Sequence, residues 1–151
     1  MNEFKPFDDK LNGLIAALSP AGRRKLASAI AKELRKSQQQ RIKQQKAPDG
    51  SPYQARKRQP LRAKTGQIKR AMFQKLRTSR YMKATGRENS AVVEFTGKVQ
   101  RIARVHQLGL KDRATSKSKE IVYPQRILLA INDSDATIIQ NLVIKHLDNN
   151  T

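Results

Sequence analysis

Between Pro20 and Arg80 the chain carries nineteen Lys and Arg against two Asp and Glu. A segment with that balance reads as helices with one wet face joined by exposed loops. The flanking parts differ: residues 1–19 have a formal charge of −1, residues 20–80 of +17 and residues 81–151 of +4. A field of this size attracts phosphate or acidic protein surfaces and makes association salt-dependent, without saying which of the two is the partner.

The 151 residues suit one domain, 1–151, but with 37% apolar residues and no tryptophan its core must be modest and aliphatic. Cysteine is absent, which excludes disulfides and thiolate metal sites and fits a reducing compartment. MNEFKPFDDK has acids where a signal peptide needs a basic region and an apolar run, and the short run Ile127 to Ile131 cannot span a bilayer. A soluble protein with no membrane partner is expected.

Phe7, Leu11, Leu14, Ile15 and Leu18 recur at helical spacing. Ser19 and Pro20 are a good N-cap and first helical residue, so a second helix, with Leu26, Ala27, Ile30, Ala31 and Leu34 on one face, forms a hairpin with the first. The polar KSQQQRIKQQK continues that helix as a basic arm reaching away from the core. Residues 47–60, with three prolines and Pro48-Asp49-Gly50, read as an exposed loop whose Arg56, Lys57 and Arg58 face solvent or a partner. Ile68, Met72, Phe73 and Leu76 suggest a third short helix. SRYMKAT and SAVVEF, around Gly86 to Asn89, read as a β-hairpin.

In RIARVHQLGL, residues 101–110, Ile102, Ala103 and His106 share a helical face with Val99, Arg101 and Arg104 fall elsewhere, and Gly109 can close the helix in the left-handed conformation. That face is expected to be buried. Residues 111–119 read as a second exposed, basic loop; one or two extended segments follow, interrupted at Pro124; and Asp133 or Ser134 caps a last helix burying Ile138, Ile139, Leu142, Val143 and Leu147. The fold class is α+β: a helical hairpin with an extended basic arm, a small, mainly antiparallel sheet of three or four strands, and two further helices near 98–108 and 134–147.

Chemistry is sparsely supplied. Lys64-Thr65-Gly66 lacks the glycines of a phosphate loop. His106 and His146 stand forty residues apart with no metal-binding spacing, and a histidine among apolar neighbours is a packing residue unless an acid and a nucleophile join it. Asp133 and Asp135 are explained by a helix start. Tyr53, Phe73 and Tyr81 are too few to stack single-stranded bases, and no nucleic-acid-reading motif is present. No enzyme, cofactor or metal site is read.

The blocks VVEFTGKVQRIARVHQLGLKDR, VYPQRILLAINDSD and IIQNLVIKHL, in this order, resemble the virion-morphogenesis or tail-completion family of contractile-tailed bacteriophages. The matching positions are Phe95, Gly97, Ile102, Ala103, His106, Gln107 and Gly109, then Tyr123, Pro124, Arg126 and Leu129, then Asp135, His146 and Leu147; Leu108 and Ala130 depart from the pattern. The resemblance implies a structural virion protein, assembled in the host cytoplasm, that completes the tail end and enables head–tail joining. It further implies a ring of six copies touching tail tube and neck or connector proteins, with Arg56, Lys57, Arg58, Arg101, Arg104 and Arg126 as candidate assembly contacts. The alternative reading is a non-specific DNA-binding protein acting through residues 20–80.

Overall fold

The computed structural model describes residues 5–56, 71–113 and 115–149; the side chains of residues 5–7, among them Phe7, are outside that description. Within it the order is α1 (Lys5–Ala16), α2 (Pro20–Lys43), β1 (Met82–Gly86), β2 (Ala91–Phe95), α3 (Gln100–Leu108), β3 (Lys111–Arg113), β4 (Glu120–Val122) and α4 (Asp133–Asn149). The class is α+β as expected, but the strands form two separate two-stranded antiparallel ladders, β1–β2 and β3–β4, and not one sheet. The chain divides into two compact units, Met1–Ser37 with Lys83–Glu94 and Ile131–Thr151, and Gln38–Met82 with Phe95–Ala130.

In the first unit α1 packs on α4. The break after α1 is made as the sequence predicts: Ser19 Oγ accepts the Gly22 N–H at 3.0 Å, and α2 starts on Pro20. Leu26, Ala27, Ala31 and Leu34 form the buried face of α2. The expected hairpin turns at residues 87–90, where Arg87 N–H meets Ser90 O at 2.8 Å. Arg23 ties that turn to α2, donating to Leu18 O at 2.8 Å and to Glu88 Oε1 at 2.6 Å. Gly86 lies where a Cβ would be 2.1 Å from the Ser28 backbone nitrogen, so only glycine fits. The cap of α4 is neither Asp133 nor Ser134. Asn132 Oδ1 accepts the Asp135 N–H at 2.9 Å and Asp135 Oδ2 accepts the Asn132 N–H at 3.2 Å, a reciprocal box. Asp135 is 1% exposed and also accepts from Ser37 Oγ.

The second unit corrects three expectations. The polar end of α2 is no projecting arm: the helix does run on to Lys43, but Ile42, Gln38 and Arg41 are buried in this unit. Gln38 Oε1 accepts the Ala130 N–H at 3.1 Å and Arg41 donates to Ala130 O at 3.1 Å, so backbone far along the chain meets a polar group of each side chain. Residues 71–80 run as turns and not as a helix, although Met72, Phe73 and Leu76 are buried; Ile68 lies outside the described residues. The Gln45 amide holds these turns by donating to Met72 O and accepting from Met72 N–H, at 2.8 and 2.7 Å. Finally, the segment expected as a loop at 111–119 opens with β3, paired in register Lys111↔Val122, Asp112↔Ile121 and Arg113↔Glu120.

Candidate functional site

α3 is short and closed as its sequence predicts: Gly109 adopts φ 66°, ψ 53° and donates to Val105 O. Its inward side is the predicted one only in part. Of the expected face Ala103 is buried and Val99 and His106 half-buried, but Ile102 is 52% exposed, and Val105 and Gln107 turn inward as well. Ile102 sits at the edge of the apolar stripe and opens into a cleft of about 660 Å³ in the second unit. From Gln107 the helix grips the following segment: its Oε1 accepts the N–H groups of Leu128 and Leu129 at 2.8 and 3.0 Å, and its Nε2 donates to Leu129 O at 2.9 Å. That clasp fixes residues 123–130, which form no regular strand, against α3.

The cleft is walled by Met72, Phe73 and Leu76 from the turns, by Ile102 and His106 from α3, and by Ile121, Val122 and Tyr123 at and after β4. His106 is the centre of an edge-to-face aromatic chain, with centroids 4.9 Å from Phe73 and 5.1 Å from Tyr123; Phe73 in turn meets Tyr53 at 5.7 Å. Tyr53, inside the supposedly exposed loop 47–60, is buried and donates its hydroxyl to Ile127 O at 2.8 Å; burial pushes its pKa up to about 12. Phe73 takes φ +66°, a left-handed backbone rare for a bulky side chain, and the aromatic chain holds it there.

Arg126, the last of the expected assembly contacts, lies inside the second unit. It is 4% exposed, donates Nε to Gln54 O at 2.8 Å, and lies 3.4 Å from His106 Nδ1. Burial, then the charge of Arg56, lowers its pKa. Burial first, then Arg126 and Arg56, lowers the His106 pKa to about 4, so the imidazole is neutral near pH 7. Arg56 is exposed on the cleft wall. Lys57 and Arg58 lie outside the described residues. On the outer side of α3, Arg104 is exposed, and Arg101, its side chain 81% exposed, reaches Asp112 Oδ1 at 2.7 Å and holds that carboxyl below its usual range.

Of the motif positions, the second unit brings Phe95, Ala103, His106, Gly109, Tyr123 and Pro124 together with Ile102 around this helix; Gly97 is exposed with open space about it. Gln38, Gln45 and Tyr53 are framework residues that sequence reading missed. A glutamine in a polar run or a tyrosine in a proline-rich loop has no local signal of burial. Among the described residues no group of three or more His, Cys, Asp or Glu could hold a metal ion, and no helix is long and apolar enough to cross a membrane. The arrangement is suited to binding: apolar side chains, exposed cations and aromatic rings packed edge to face.

No solved structure matches the chain. It is 48% identical over 149 residues to "Tail completion protein S" of Escherichia phage P2, covering 98% of this chain and 99% of that one. The model of the phage virion morphogenesis family matches residues 2–148. With its end-to-end match and its α+β build around a Gly109-capped helix, the chain belongs to the phage virion morphogenesis family.

Proposed function

We propose that this protein is a structural part of a phage virion that completes the tail end and enables the tail to join the head, acting without catalysis as a ring of six copies. The observation that carries the reading is the end-to-end 48% identity to a tail completion protein. Six copies follow from the six-fold build that the resemblance to contractile-tailed phages implies. In this reading the protein is assembled in the host cytoplasm and retained at the head–tail junction, between tail tube and neck or connector proteins. Arg56, Lys57, Arg58, Arg101, Arg104 and Arg126 are its candidate contacts. Electron microscopy of lysates made without this gene tests it: filled heads beside unjoined tails are expected, and normal virions would overturn it.

A second reading, contact with DNA, is favoured by where the charge collects. The second unit holds 21 Lys and Arg against 3 Asp and Glu, a net +18, and the first 11 against 9, a net +2. A DNA site would lose about one unit of salt slope per phosphate contact removed. Changing Arg56, Lys57 and Arg58 to alanine separates the readings at physiological salt, where the Debye length is about 8 Å. Tail joining fails if the cations serve assembly; submicromolar duplex binding that disappears while virions still form favours DNA.

A further inference from the structure

The cleft beside α3 is short of one thing. Among the described residues that line it there is no Asp or Glu, although the exposed Arg56 and Lys75 and the buried Arg126 all line it. His106, 3.4 Å from Arg126, is uncharged at neutral pH and cannot balance them. Its aliphatic lining is open, with Ile102 52%, Ile121 41% and Val122 66% exposed. The chemistry that fills such a cleft is an aliphatic side chain with a carboxylate one or two residues away. A nucleic acid fits it poorly, because the aromatic rings are engaged edge-on with one another and offer no platform for bases.

The second unit has little acid to spare: Asp49 is bonded to the Ser51 hydroxyl and Asp112 to Arg101, which leaves Glu120. Nine of the twelve acids are in the first unit. There, Ile131 is 64% exposed, matched among the large apolar side chains of the described residues only by Val122, and the exposed Asp133 follows two residues later at the start of α4.

We propose that Ile131 and Asp133 of one copy seat in the cleft of a second copy, Ile131 against Ile102, Ile121 and Val122, and the Asp133 carboxylate on the guanidinium of Arg56. Two different surfaces of the chain meet in this contact, so it is head-to-tail, and repeating it closes a ring if the rotation allows. The inference rests on the ring reading above and names the interface that builds it.

Both charged partners are exposed, so Arg56→Glu and Asp133→Arg leave folding intact, which a melting curve checks. Sedimentation of the full chain at physiological salt is the assay. The wild type self-associates; each single variant loses association by about tenfold or more, because like charges then face each other. The double variant recovers it, as does an equimolar mixture of the two single variants, whose copies alternate. A wild type that stays monomeric at millimolar protein, single variants that associate like wild type, or a double variant without recovery would each overturn the proposal. Complementation of a phage lacking the gene tests the function separately. If Arg56→Glu blocks tail joining with self-association unchanged, the cleft takes an acidic partner protein and this docking is wrong while tail completion stands. If variants that no longer self-associate still join tails, the ring reading falls.

Discussion

Replacing Gly86 by alanine adds one methyl group where the first unit has no room for it. Its Cβ would lie 2.1 Å from Ser28 N, 2.4 Å from Ser28 Cα and 2.7 Å from Ser28 Cβ, whereas non-bonded carbon atoms rest about 3.5–4.0 Å apart. Two of these atoms are helix backbone, so no rotamer change relieves the clash; β1 and α2 must separate by about 1 Å or more, a distance at which packed atoms lose much of their attraction. Overpacking costs about 1–3 kcal/mol where side chains can shift, and here at least the upper end of that range is expected. At about 2–4 °C per kcal/mol for a chain of this size, the melting temperature should fall by about 6–12 °C. The matched control is Gly13→Ala in α1, where nothing lies within 4 Å of the added Cβ and φ is not positive. That change should stabilise by about 0.5–1 kcal/mol, since glycine costs a helix entropy. Calorimetry of the two variants therefore expects opposite signs. A Gly86→Ala protein melting within about 2 °C of wild type would refute the close approach of hairpin and helix.

Other perturbations test the second unit. Ile102→Asp, at a 52% exposed position, should cost under about 1 kcal/mol, whereas Ala103→Asp, 4% exposed, should unfold the unit; equal denaturant midpoints would contradict the assigned faces of α3. His106 takes up a proton near pH 4 when folded and near 6.5 when unfolded, so the unfolded state binds more protons between these values. Stability is full above about pH 6.5 and declines as pH falls toward 4, by up to about 3 kcal/mol and by about half that after screening at a partly exposed site. His106→Gln should flatten this part of the stability profile, and an unchanged acid decline would assign it to other groups. Gln107→Leu leaves the N–H groups of Leu128 and Leu129 and the Leu129 carbonyl without their partner, at about 1–3 kcal/mol for each that stays dry, and urea unfolding should show a loss of at least about 3 kcal/mol.

Much of the fold was decided by neighbours in the sequence. Ser19 and Pro20 end one helix and begin the next, Gly109 stops α3 in the left-handed region, and the alternation of Ala91 to Phe95 makes a strand, because caps, turns and periodicity act over a few residues. The matching blocks from Val92 to Leu147 carried the family for the same reason: they are runs of side chains in fixed order. Tertiary structure alone decided what is inside. Spacing says that Val99, Ile102, Ala103 and His106 share a stripe on α3, but which edge of it meets the core depends on residues 123–130, held there by Gln107. Gln38 and Arg41 read as solvent-facing until the Ala130 backbone, some ninety residues on, meets their polar groups. Arg126 reads as a surface cation until the carbonyl of Gln54 takes its Nε–H. Burial of a polar side chain depends on a partner, and when that partner is remote the local sequence contains no trace of it. The partition of charge has the same origin: residues 20–37 of the basic stretch group with most of the acids, residues 38–80 with further Lys and Arg from 95–130, and that sorting leaves a cleft whose described lining holds Arg56, Lys75 and Arg126 and no carboxylate.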